Sequence, residues 1–75
     1  MKNITISTEY ITLGQFLKFA HIIQNGGEAK FFLESNKVII DGVEDNRRGR
    51  KLYPESIVEI NGQSFKVIAK WLFKN

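Results

Sequence analysis

Apolar residues in this chain change their spacing several times, and each change marks an element. Ile4 and Ile6 alternate with Thr5 and Ser7, the period of a short strand with one inward face, expected at a sheet edge. From Leu13 the period becomes helical: Leu13, Phe16, Leu17, Ala20 and Ile23 form one stripe, with Gln15 and Lys18 on the opposite side. Thr12 with Gln15 reads as a capping box, and Ile11 stands where it can staple against Phe16, so two independent signals fix the helix start. Its end is expected at Asn25-Gly26-Gly27, where a glycine can take the left-handed closing position. Asn25 and Glu28 then start a second helix over about residues 27–35, with Ala29, Phe32 and Leu33 inward and Lys30 and Glu34 outward. Two helices are thus expected to meet at a tight corner.

Two hairpins follow. Val38-Ile39-Ile40 and Val43-Glu44 flank Asp41-Gly42, and residues 57–60 and 64–69 flank Asn61-Gly62; both dipeptides readily supply the two positive φ angles of a type I′ turn. Pro54 cannot donate to a sheet ladder, so residues 47–56 read as a connecting arm, with backbone and side chains free to meet a ligand. The tail Lys70-Trp71-Leu72-Phe73-Lys74 is too apolar to float free; it either extends the last strand or folds over an open face. The expected fold class is α+β, a two-helix corner packed on a small antiparallel sheet. Residues 1–75 are expected to form a single domain, with 70–75 as a C-terminal extension.

Composition narrows the function. A chain of 75 residues, 43% hydrophobic and 25% charged, supports one thin core and no deep catalytic cleft. With no cysteine there is no disulfide, thiolate metal site or cysteine nucleophile, and a reduced cytoplasm is the default compartment. The first six residues lack the pattern of a signal peptide, and no apolar run approaches the roughly 20 residues that span a bilayer, so no membrane partner is expected. The eight carboxylates are scattered, and the only histidine, His21, has no ligand set around it. Neither an enzyme nor a metal site is expected.

The net charge of +3 is modest, but it is local. Residues 44–51 carry two acids and four bases, the four being Arg47, Arg48, Arg50 and Lys51 around Gly49. Guanidinium groups in a short loop pair bidentately with phosphate, which makes this run the leading candidate for binding a polyanion. The plainer reading is a solvated loop whose arginines pair with Glu44, Asp45 or Glu55. Lys18 and Lys30 are single outward lysines, a pattern that more often only keeps a surface soluble. Gly26 and Gly27 are a candidate phosphate site at a helix N-terminus, although Glu28 there would repel an anion. Of the aromatics, which make up 12% of the chain, Tyr53 beside the basic run and Trp71 in the tail are the two candidates for base stacking.

Three segments together carry a family likeness. Leu13-Gly14-Gln15-Phe16-Leu17-Lys18, Gly26-Gly27-Glu28-Ala29-Lys30 and Val38-Ile39-Ile40-Asp41-Gly42 resemble the RNA-binding domain named for small-subunit ribosomal protein four, the S-four domain. In that family a helix-turn-helix, the alpha-L motif, is followed by a strand ending in an Asn-Gly-like turn. The continuation Asp45-Asn46-Arg47-Arg48-Gly49-Arg50-Lys51-Leu52 resembles its free-standing bacterial subgroup of YaaA type, and the likeness runs over about residues 11–60. The resemblance implies non-catalytic binding of structured RNA, with ribosomal RNA or a ribosomal precursor particle as the expected partner, ribosome assembly as the setting, and no cofactor. It implies contacts from Lys18, Lys30, Arg47, Arg48, Arg50 and Lys51. Gly14 and Glu28 stand where many members carry arginine, Asp41 where asparagine is common, and Pro54-Glu55 where Gly-Asp is usual. The first two departures move weight from the helices to the arm. Two rival readings remain, a DNA-binding accessory protein and a protein-interaction module using Trp71-Leu72-Phe73.

Overall fold

A computed structural model describes residues 1–73. Strands β1 (Lys2–Ile6), β3 (Val38–Ile40), β4 (Val43–Glu44), β6 (Ile57–Ile60) and β7 (Gln63–Ala69) form one sheet in the order β1-β7-β6-β3-β4. Strands β2 (Ile11–Thr12) and β5 (Lys51–Leu52) pair separately. Helices α1 (Leu13–Phe19) and α2 (Ala29–Ser35) pack on the sheet, the latter entered through a 3-10 turn at Gly26–Glu28. The α+β class expected from the pattern is what forms.

Both hairpin turns are as read. Asp41 and Gly42 have φ of 50° and 87°, and Asn61 and Gly62 have 51° and 80°. The Asp41 carboxylate also accepts the Ile57 N–H at 2.9 Å, while the Asp41 N–H donates to the Ile57 carbonyl at 2.9 Å, which ties the first turn to the start of β6.

The sheet is antiparallel across β7, β6, β3 and β4, but β1 joins β7 in parallel, with Lys2 opposite Phe65 and Ile6 opposite Ala69. The wholly antiparallel expectation is corrected here. The partner of β1 is the last strand, not its neighbour in sequence, so no hairpin turn sets its direction; both helices lie in the connection between them. Its place at the sheet edge is as expected.

The helical stripe correctly names the core but overstates the helix. Leu13, Phe16, Leu17, Ala20 and Ile23 are all buried, yet α1 ends at Phe19. The chain closes there because His21 takes φ 61°, its N–H bonding the Lys18 carbonyl at 3.0 Å while the Ile22 N–H reaches back to Leu17 at 2.9 Å. These two bonds make a Schellman close, with histidine in the position usually held by glycine. Ile23 therefore reaches the core from a turn, and the corner between α1 and the 3-10 turn spans residues 20–25, wider than expected. Against the sheet, Phe16 meets Phe65 edge to face at 5.4 Å and 89°, a contact contributing about 0.5–1.5 kcal/mol beyond the area it covers.

At the other end the capping box is complete. Thr12 Oγ1 accepts the Gln15 N–H at 3.3 Å, and Gln15 Oε1 accepts the Thr12 N–H at 2.9 Å. Beyond β7 the chain turns into a single 3-10 turn, Lys70–Phe73, and so does not extend the strand; residues 74 and 75 of the expected C-terminal extension lie outside the described residues. No helix among the described residues is long and apolar enough to cross a membrane.

Candidate nucleic-acid interface

The basic arm is held by the start of α1. The first turn of any α-helix leaves backbone N–H groups without intrahelical partners. In α1 the Leu13 N–H donates to the Arg50 carbonyl at 2.8 Å, the Gly14 N–H to the Arg48 carbonyl at 3.0 Å, and the Gln15 N–H to Thr12. Two of these three donors are therefore satisfied by the arm itself. Next in the chain, Lys51 and Leu52 pair with Thr12 and Ile11, and Leu52 is fully buried. The expectation of a free connecting backbone is corrected: residues 48–52 are fastened to the start of α1, and only side chains project. Pattern reading missed this because a two-residue strand leaves almost no periodicity to detect.

Gly14 makes the close approach possible. A β-carbon at this position would lie 2.8 Å from Arg48 Cγ and 3.6 Å from both Arg48 Cδ and the Arg48 carbonyl oxygen. Gly14, expected to move weight from the helices to the arm, also admits the arm to the helix.

Charge on the arm divides in two. Asp45, with its side chain 8% exposed, accepts Arg47 Nη2 at 2.7 Å, Arg47 Nε at 3.1 Å and Arg50 Nη1 at 2.8 Å, and also takes the Arg47 backbone N–H at 2.9 Å. The Arg47 side chain, then its backbone N–H and Arg50, hold the Asp45 carboxyl well below the ordinary carboxylate value of 3.8, against the opposing effect of burial. The same pairing raises Arg47. Arg47 and Arg50 are thus internally paired, the outcome that the plainer sequence reading anticipated, although Arg47 stays 70% exposed with further donors on its outer edge. Glu44 pairs with Lys37 at 4.0 Å and Glu55 with Lys66 at 3.0 Å, so neither takes an arm residue. Among the described residues, Arg48 and Lys51 make no ion pair.

Arg48 shares a groove with Lys30 of α2, lined also by Leu33, Glu34 and Asn46. Helix and arm thereby contribute one cation each to a single concavity, with Glu34 as its only acid. Asn46 belongs to this groove and was not singled out in the sequence, where a lone asparagine carries no signal. Lys18 is exposed but sits in the last turn of α1, the far end of that helix from the Gly14–Arg48 contact. Gly26 and Gly27 form the 3-10 turn before α2, where the Glu28 carboxylate accepts the N–H groups of Gln24 at 2.9 Å and Asn25 at 3.0 Å. An acid already complements this corner.

Of the two aromatic candidates, Trp71 is half-exposed in the final 3-10 turn. Tyr53 has a partner that the sequence reading passed over: its ring centroid lies 5.7 Å from that of Tyr10, at 48°. Lys51 Nζ stands 4.9 Å from the Tyr10 centroid. The signal for Tyr10 was its place before Ile11-Thr12, legible only once that dipeptide is known to pair with Lys51-Leu52.

The model of the S4 domain family matches residues 4–68, from the middle of β1 to the penultimate residue of β7 and including the whole arm. The chain is also 58% identical over 66 residues to the "Probable ribosome maturation protein RlbA" of Bacillus subtilis (strain 168), a match covering 87% of this chain and 93% of that protein.

Proposed function

The chain belongs to the S4 domain family, and on that premise we propose that it binds structured RNA without catalysing a reaction, acting in the cytoplasm on ribosomal RNA or a ribosomal precursor particle during ribosome maturation. The observation that carries this reading is the junction of arm and helices, where Arg48 is fastened to α1 by its carbonyl and shares a groove with Lys30 of α2. Proteins that read folded RNA rely on phosphates, 2′-hydroxyls and shape, which call for cations at fixed separations and not for a loose tail. In this reading Arg48 and Lys30 meet phosphates on the groove side, and Lys51 meets one on the other side of the arm. Arg47 and Arg50 act differently: Asp45 fixes their orientation, and the outer edge of Arg47 adds a contact without leaving its pair. Lys18 and the Gly26-Gly27 corner are secondary in this scheme, the first by its distance along α1 and the second by the carboxylate of Glu28.

Crosslinking in cells, followed by sequencing of the attached RNA, tests this reading. Enrichment of ribosomal RNA or its precursors supports it. No enrichment of RNA over an uncrosslinked control, or enrichment only of RNA unrelated to the ribosome, overturns it.

A further inference from the structure

Strands β2 and β5 form a ribbon two residues long, and its two faces differ in chemistry. Ile11 lies opposite Leu52 and both are buried, so the neighbouring positions in each strand face outward. Continuing the antiparallel register one step brings Tyr10 opposite Tyr53, and Thr12 is already opposite Lys51. The outward face is therefore Tyr10, Tyr53, Lys51 and Thr12, with Tyr10 36% and Tyr53 47% exposed. Two half-exposed tyrosines next to each other have no structural need to be there, because the core is closed beneath them by Ile11 and Leu52.

We propose that this ribbon is a nucleotide site: an unpaired RNA base stacks on Tyr53, and its phosphate enters the adjoining concavity lined by Arg47, Gly49, Arg50, Lys51 and Ser56, with Asp41, whose carboxylate accepts the Ile57 N–H at 2.9 Å, as its one acid against three cations. The inference rests on the RNA-binding reading above and deepens it, since it adds a single-stranded nucleotide to a surface otherwise described by charge. Lys51 covers Tyr10, with Nζ 4.9 Å from the ring centroid, so Tyr10 is the buttress and Tyr53 offers the open face. The 48° tilt between the rings makes a notch and not a flat stack, and a flat base fits against one wall of it. Tyr53 is fixed from below by its own N–H on Ser56 Oγ at 3.3 Å and by the Ser56 N–H on the Tyr53 carbonyl at 3.0 Å. A stacked base is recognised by any ring with an open face, so the site selects unpaired over paired RNA more strongly than one base over another.

The test is equilibrium binding of three RNA probes sharing one stem: a hairpin with a single-stranded loop, the same hairpin with abasic loop positions, and a fully paired blunt duplex. Tyr53→Ala and Tyr10→Ala are each expected to weaken binding of the intact hairpin about tenfold or more, with the larger loss at Tyr53. The same variants bind the abasic hairpin and the duplex as the parent protein does. Tyr53→Phe and Tyr10→Phe retain hairpin affinity, because stacking needs the ring and not the hydroxyl, and they hold the result if an alanine variant fails to fold. Equal affinity of the parent protein for intact and abasic hairpins, or equal losses on all three probes, overturns the nucleotide site alone. Failure of the parent protein to bind any of the three overturns the RNA-binding reading with it.

Discussion

The Gly14 N–H donates to the Arg48 carbonyl at 3.0 Å, and a β-carbon at residue 14 would meet Arg48 Cγ at 2.8 Å. This one contact joins the helical and arm halves of the surface, and it makes the effect of Gly14→Ala depend on residue 48. In an open helix the change stabilises by up to about 1 kcal/mol. Here overpacking opposes it, at about 1–3 kcal/mol, so the single variant is expected to be destabilised by roughly 1 kcal/mol. In an Arg48→Ala background Cγ is gone and the same substitution becomes neutral or stabilising. Chemical denaturation of the four proteins of this cycle checks the reversal of sign.

Asp45 is expected to set the acid limit of the arm. Its folded carboxyl titrates below the ordinary 3.8, so the stability it contributes is fully present above that value and is lost as pH falls below it. Asp45→Asn removes the ion pairs to Arg47 and Arg50 and is expected to cost on the order of 1 kcal/mol at neutral pH. The gap between parent and variant stays constant from about pH 5 to 8 and narrows below about pH 4. Denaturation midpoints measured across that range check it; a gap that widens on acidification contradicts it.

His21 closes α1 at φ 61°, a conformation that costs most residues other than glycine about 1–2 kcal/mol. Part of the gain from His21→Gly is offset by the added freedom of the unfolded chain. A net stabilisation of about 0.5–1 kcal/mol is expected, a rise of a few degrees in Tm. Thermal melting of His21→Gly beside His21→Ala separates the two effects, because alanine keeps the strain and is expected to show no rise.

What the sequence made legible is local. Asp41-Gly42 and Asn61-Gly62 announce their turns, Thr12 and Gln15 announce a helix start, and the stripe from Leu13 to Ile23 names its core face, because each signal acts within a few residues. Pairings between distant segments leave no such trace. The parallel partner of β1, the docking of Arg48 and Arg50 on α1 and the meeting of Tyr10 with Tyr53 all join positions more than 30 residues apart. Asp45 is intermediate: the sequence puts an acid beside the arginines, but the enclosure that lets it hold Arg47 and Arg50 together is a property of the folded arm. Histidine as the closing residue of α1 was hidden for another reason, since Asn25-Gly26-Gly27 downstream offers a stronger stop signal that the chain uses only for the turn into α2.

The surface itself is tested most directly by the salt dependence of affinity for a precursor ribosomal RNA transcript, measured for the parent protein and for Lys30→Ala, Arg48→Ala, Lys51→Ala and Lys66→Ala. Each substitution removes one positive charge, but Lys66 is paired with Glu55 on β7 and serves as the control. The expected result is a fall of roughly 0.7 to 0.9 in the slope of log affinity against log salt for each of Lys30, Arg48 and Lys51, and no fall for Lys66. Unchanged slopes at Arg48 and Lys30, or an equal fall at Lys66, would contradict a phosphate-binding surface built where the arm meets the helices.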